Sequence, residues 1–351
     1  MAKKKGKPKD KGKAEAKAEE GYDTATLYKN YVQVCDNIGI EPYTELKKIV
    51  ETTGEQIILT GDSNDKLSSG CRALMNALSG KLEGTTPFTS LKDLRIRSSN
   101  INDCGAIAIA TFIRATVEAK QGIGGTVQPQ GKLQFLDLSD NNIGHQGASH
   151  LGRSLEVGMN KTLTTLLLDF NTLLGPEGAS ALCKGIATNS SLTVLSLKHC
   201  NINSTGGEPI SAMLAFKKLA LTTLDLSGNC LGGAGLAELC KGLEKNESLT
   251  TFRLADNNIR QTDDDLAALE AFGQVLLTHS KISEIDFDHN HIGSIGGKLL
   301  LPGVRENKQI TMFKISEIDM DEETYKALFR VSNDSKGKGS KGKKKGKKKK
   351  K

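Results

Sequence analysis

The sequence predicts an α/β solenoid in which each unit contributes one short parallel strand and one helix, flanked by lysine-rich ends. Three observations predict it. A leucine-led pattern of eleven residues occurs eight times, an amphipathic stretch follows most copies, and charge is divided between an acidic centre and basic ends.

The 351-residue chain opens on MAKKKGKPKDKGKAEAKAEE, which holds eight Lys against four acids. It closes on residues 332–351, with eleven Lys against one Asp. The formal charge of the whole is +7, so residues 21–331 carry −7. Segments 1–21 and 332–351 have almost no apolar content and are read as disordered tails. The seven Cys are odd in number and form no C-x-x-C pair, which points to reduced thiols in an intracellular compartment. The N-terminus lacks an apolar core of the signal-peptide kind, and no stretch approaches eighteen apolar residues, so neither secretion nor membrane spanning is expected.

Residues 22–90 are read as an N-terminal cap with a degenerate repeat, in which Ile57 and Leu59 would form the strand. Residues 91–331 then hold the eight units: LKDLRIRSSNI from Leu91, LQFLDLSDNNI from Leu133, LTTLLLDFNTL from Leu163 and LTVLSLKHCNI from Leu192. LTTLDLSGNCL follows from Leu221, LTTFRLADNNI from Leu249, ISEIDFDHNHI from Ile282 and ITMFKISEIDM from Ile310. The starts lie 42, 30, 29, 29, 28, 33 and 28 residues apart. This register at this period is the leucine-rich-repeat signature. Positions 4 and 6 are two apart and share one face of a strand, the inner one. Position 9 is Asn141, Asn171, Cys200, Asn229, Asn257 and Asn290, a ladder that satisfies backbone groups where the chain leaves the strand. Segments such as GASALCKGI (178–186) and GLAELCKGL (235–243) carry apolar residues at helical spacing. Two longer intervals mark excursions: the Gly-rich loop 121–131, and QTDDDLAALEAF, where Thr262 and Asp265 have capping-box spacing before a longer helix.

The repeats resemble those of the ribonuclease-inhibitor type, which implies a horseshoe with strands on the concave face and helices on the convex face. Positions 3, 5, 7 and 8 then point outward along the concavity. They offer Phe135, Asp137 and Asp140 in one unit and Leu167, Asp169 and Phe170 in the next. His199 and Asp225 follow, then Arg253 and Asp256, then Glu284, Asp286 and Asp288. Acids dominate this list, while Phe135, Leu167 and Phe170 form an apolar patch within it, so a protein partner is expected and nucleic acid is not. The tails lack arginine and aromatics for reading bases and offer a dense cation for an acidic polymer, microtubules among them.

No catalytic, cofactor or metal constellation emerges. GKGSKG (337–342) fits a phosphate-loop pattern only as low-complexity sequence, with Lys344 where Ser or Thr must stand. His289 and His291 flank a ladder Asn and find no third metal ligand.

LYKNYVQVCDNIGIEPYTELKKIV (27–50) resembles the capping segment of leucine-rich-repeat proteins of cilia, axonemes and centrosomes, through Tyr28, Tyr31, Cys35, Gly39 and Pro42. That resemblance implies a non-catalytic scaffold in the microtubule cytoskeleton of a cilium or flagellum. LDLSDNNIG (136–144) and LLLDFNTLLGPEG (166–178) also resemble units of the Ran GTPase-activating protein, which implies GTPase activation in cytosol and nucleus, with Asn141 or Asn171 as the functional Asn. The basic tail departs from that family's acidic one.

Overall fold

The computed structural model describes residues 24–52, 54–61, 66–85, 87–118 and 132–330. Both lysine-rich ends and the loop 121–131, with the readings made of them, lie outside the described residues.

Among the described residues one sheet of nine strands runs in chain order, every neighbouring pair parallel. The strands are β1 (Gln56–Thr60), β2 (Asp93–Arg97), β3 (Phe135–Asp137), β4 (Thr165–Leu167) and β5 (Val194–Ser196). They continue with β6 (Thr223–Asp225), β7 (Thr251–Arg253), β8 (Glu284–Asp286) and β9 (Met312–Lys314). The leucine register explains the pairing. Leu136, Leu166, Leu195, Leu224, Phe252, Ile285 and Phe313 are partners across successive strands and are fully buried. Each such side chain stabilises the fold by about 1.5–3 kcal/mol. A one-residue slip would turn the whole row to the other face.

The helices form the second layer: α1 (Thr24–Ile38), α2 (Leu46–Thr52), α3 (Lys66–Leu78), α4 (Asn102–Glu118), α5 (His145–Ser154) and α6 (Gly175–Ile186). They continue with α7 (Gly207–Leu214), α8 (Gly232–Leu243), α9 (Asp263–Thr278), α10 (Gly293–Glu306) and α11 (Glu322–Leu328). From α3 to α11 each packs on the next, while α1 packs on α3, and α2 on α1 and β1. In that N-terminal segment Tyr31 and Cys35 are buried, the Tyr31 hydroxyl accepts from the Tyr43 N–H at 3.1 Å, and Gly39 turns the chain at φ 71°.

Helix contact is set by glycine. A Cβ on Gly185 would fall 1.9 Å from the Gly152 carbonyl oxygen, and one on Gly242 would fall 2.4 Å from that of Ser211. Gly273 and Gly303 stand in the same relation to Leu299 and Gly273, at 2.4 and 2.5 Å. Backbone therefore touches backbone along the convex layer. In α4 the position equivalent to Gly185 is Phe112, and between α3 and α4 lies a cleft of about 460 Å³ lined by Arg72, Asn76, Cys104 and Phe112 among others.

Thr262 caps α9 by accepting from the Asp265 N–H at 3.3 Å. The reciprocal half of a capping box is absent. Asp265 instead reaches to α8, where its carboxylate accepts from the Gly233 N–H at 2.6 Å, and it also takes the Arg260 N–H at 3.0 Å. Asp103 of α4 likewise serves the start of α5, accepting from Gly144 and Gly147 at 2.7 and 2.9 Å. These carboxylates meet the positive ends of neighbouring helices.

Candidate protein-binding face

Three side-chain ladders hold the strands and their turns in place. At position 2, the hydroxyls of Thr164, Thr193, Thr222, Thr250, Ser283 and Thr311 each donate to the backbone carbonyl of the preceding unit, at 3.0–3.3 Å. At position 9, the Asn229 amide oxygen accepts from Cys200 and Ile202, and its nitrogen donates to the carbonyls of Leu197 and Leu226. Asn141, Asn171 and Asn290 make the same pattern with the units before them. Asn257 donates to Leu226 and Ala255, while its Oδ1 is buried with no partner among the described residues. Cys200 substitutes a thiol that donates to Leu168 at 3.2 Å, and burial pushes its pKa up to about 12.

The third ladder escaped the sequence reading. Asn160, Asn189, Asn246, His279 and Asn307 precede the first apolar residue of their units by three, and each accepts backbone N–H groups of the turn into the strand. Its signal in the sequence is N/H-x-x-L/I, which lies ahead of the leucine-led register and outside it.

The strand face differs from an open acidic groove. Asp137 and Asp225 are 1% and 2% exposed, so neither is surface. The reason is local. Asp137 accepts from the Ser139 N–H at 3.0 Å and from its hydroxyl at 2.6 Å, and Asp225 accepts from the Ser227 N–H at 3.0 Å. A position-5 Asp thus satisfies the position-7 amide where the strand bends. Where Ser196 holds position 5, Asp169 of the preceding unit takes over, accepting from the Lys198 N–H at 3.0 Å and from the Ser196 hydroxyl.

Cations complete these groups. Arg97 pairs with Asp137 at 2.6 Å, and Arg95 grips Asp93 with two bonds while lying 4.5 Å from the Phe135 ring centroid. Lys198 and Arg253 face Asp225 at 3.4 and 3.6 Å, and Lys314 meets Asp286 at 3.0 Å. Glu284 accepts from the Thr251 hydroxyl at 3.3 Å, and Asp288 from the Ser316 hydroxyl. The strand face is therefore charge-matched. Phe135 and Leu167 are half-buried on it, so the expected apolar patch is divided.

Phe170 lies instead on the rim, where position 8 turns the chain through left-handed backbone. Asp140, Phe170, His199, Asp256 and His289 have φ of 57°, 60°, 50°, 52° and 56°. Such backbone costs roughly 1–2 kcal/mol for a residue with a Cβ. Phe170 is 52% exposed and stacks on His199 with ring centroids 4.7 Å apart and planes at 16°. Leu173 on the same turn is 64% exposed.

No group of three or more His, Cys, Asp or Glu able to hold a metal ion occurs among the described residues. No helix among them is long and apolar enough to cross a membrane.

A family model described as Leucine Rich repeat matches residues 89–110, 132–152, 160–183, 188–211 and 220–240. Ribonuclease inhibitor of Sus scrofa is 27% identical over 278 residues, covering 74% of this chain and 58% of its own length. That of Mus musculus is 25% identical, covering 85% and 59%. The human protein "NACHT, LRR and PYD domains-containing protein 12" is 35% identical over 137 residues, 39% of this chain and 12% of its own length. The chain thus spans under two thirds of each of these relatives. Repeated strand-turn-helix units, one parallel sheet and these similarities together make the chain a leucine-rich-repeat protein of the ribonuclease-inhibitor-like type.

Proposed function

We propose that the chain is a non-catalytic scaffold whose sheet face and rim hold a protein partner, and that it belongs to the microtubule cytoskeleton of a cilium or flagellum. The observation that carries the scaffold reading is the charge-matched strand face. Arg97, Lys198, Arg253 and Lys314 are each held by a carboxylate. A surface fixed in this way loses little side-chain freedom on binding, so a partner meets a preorganised array. The cap segment 27–50 and the lysine runs at both ends support the cytoskeletal placement, since lysines gain about 1 kcal/mol each near an acidic surface at low salt.

The GTPase-activator reading finds less support. Asn141 and Asn171, its candidate residues, are fully buried and bonded to backbone, so neither amide can reach a nucleotide-binding partner without dismantling its turn.

The test is detergent fractionation of ciliated cells expressing the tagged chain, with and without residues 332–351. Retention of the full chain in the insoluble cytoskeleton, weakened by removal of the tail, is the expected result. Full solubility of both forms overturns the cytoskeletal reading.

A further inference from the structure

We propose that the rim around Phe170 docks an extended protein segment that carries an aromatic or aliphatic side chain between two basic residues. The proposal rests on the protein-binding reading and specifies the partner's chemistry.

Asp140, Phe170, His199, Gly228 and Asp256 occupy five consecutive rungs. The Asp140 N–H donates to Asp169 at 2.8 Å, Phe170 to Lys198 at 2.7 Å and His199 to Ser227 at 3.0 Å. Gly228 donates to Ala255 at 2.8 Å and Asp256 to Asp288 at 2.9 Å. All five are left-handed, so this edge lines up one residue per unit, with a side chain at every rung but Gly228.

The middle of the file is apolar and built. Phe170 and His199 stack, and Gly228 makes room for the imidazole: a Cβ there would lie 2.2 Å from the ring. Its φ of 70° also favours glycine. Left-handed backbone usually carries Gly, Asn or Asp, and a bulky residue there points to a role outside the turn itself. Phe170 is half exposed all the same.

The ends of the file are charged. Asp140 and Asp256 are exposed, and their carboxylates have no partner among the described residues, whereas Asp137, Asp225 and Asp286 on the strands and Asp169 just beyond β4 all do. Unpaired acids around an apolar stack match a basic–apolar–basic segment. The spacing sets its length. Rungs repeat about every 4.8 Å, so Asp140 and Asp256, four rungs apart, are separated by about 19 Å. An extended chain rises about 3.3 Å per residue and turns alternate side chains to one face, so the two basic residues stand about six positions apart with the apolar one two positions after the first, over the Phe170–His199 stack. The chain's own tail, residues 336–351, contains only Lys, Gly and Ser and lacks the apolar anchor.

The experiment titrates the peptide Lys-Ala-Phe-Ala-Ala-Ala-Lys, whose Lys and Phe side chains share one face when extended, into the full chain by calorimetry. Saturable binding with Kd below about 1 mM is expected, weakened about tenfold or more when the peptide's Phe becomes Ala or its Lys residues become Glu. Phe170→Asn keeps a residue that tolerates left-handed backbone, so it should fold with unchanged circular dichroism and weaken binding by about tenfold. Asp140→Asn with Asp256→Asn should abolish the preference for Lys over Glu. Absent binding, or binding that Phe170→Asn leaves unchanged in a folded protein, overturns the proposal. Binding that emerges only when residues 336–351 are removed assigns the rim to the tail and overturns it as well. The titration is independent of cell fractionation, so the rim can stand if the cytoskeletal placement falls, and the reverse.

Discussion

The imidazole Nδ1 of His279 accepts the backbone N–H groups of Lys281 and Ile282 at 3.2 and 3.1 Å, the two bonds that Asn160, Asn189 and Asn246 make in their units with an amide oxygen. A titratable ring thus stands in a ladder otherwise made of asparagine. Burial holds its pKa below the usual imidazole value, and Nε2 has no partner among the described residues. Protonation at Nδ1 would break both bonds.

The sign follows from linkage. A lowered pKa in the fold means that the unfolded chain binds the proton first as pH falls. The stabilisation is complete above about pH 6.5 and is lost on acidification. His279→Asn should therefore lose less stability than the native sequence between pH 7.5 and 5.5. Urea denaturation of both proteins at the two pH values checks this, and an equal loss in both would refute it.

Gly185→Ala should be among the most damaging small substitutions on the convex side. Its methyl would meet the Gly152 carbonyl at 1.9 Å, a backbone atom that cannot swing aside. A cost of about 1–3 kcal/mol is expected, read as a lowered melting temperature. Gly158→Ala has open space around it, with only its φ of 80° to strain it, and should cost about 1 kcal/mol.

Ladder substitutions should rank by bonds lost. Asn229→Ala strands two N–H groups and two carbonyls, whereas Asn257→Ala frees carbonyls alone, because its Oδ1 has no donor among the described residues. Each stranded group costs about 1–3 kcal/mol, so Asn229→Ala should be the more destabilising. Equal chemical-denaturation midpoints would contradict the ranking.

Thiol reactivity should divide the cysteines. Burial pushes Cys71, Cys183, Cys200 and Cys240 up to about 12, whereas Cys104 and Cys230 are exposed. Iodoacetamide at pH 8 should label Cys104 and Cys230 in the folded protein, and all seven only after denaturation. Peptide mass spectrometry reads the result.

The fold was legible because one pattern repeats. Phe135, Thr165, Val194, Thr223, Thr251, Glu284 and Met312 all stand third in their units and all open a strand. The binding face was less so. Asp137 sits in an outward-pointing column, yet its burial depends on Arg97, forty residues earlier, and on a turn bond to Ser139. The Phe170–His199 stack joins residues 29 apart, and Gly228 permits it from the next unit. Periodicity fixes which face a residue occupies. Side-chain partners between units decide whether it is free there.

The glycines of the helix layer have a consequence for size. Parallel strands stand about 4.8 Å apart and packed helices about 8–10 Å, so the difference between the two pitches bends the array. Backbone contact at Gly185, Gly242, Gly273 and Gly303 keeps the outer pitch short and the arc shallow, whereas α4 carries Phe112 at the equivalent position, lining the cleft beside α3. The diameter of what this protein can embrace is thus written at one position of each helix, on the side that no partner in the concavity touches.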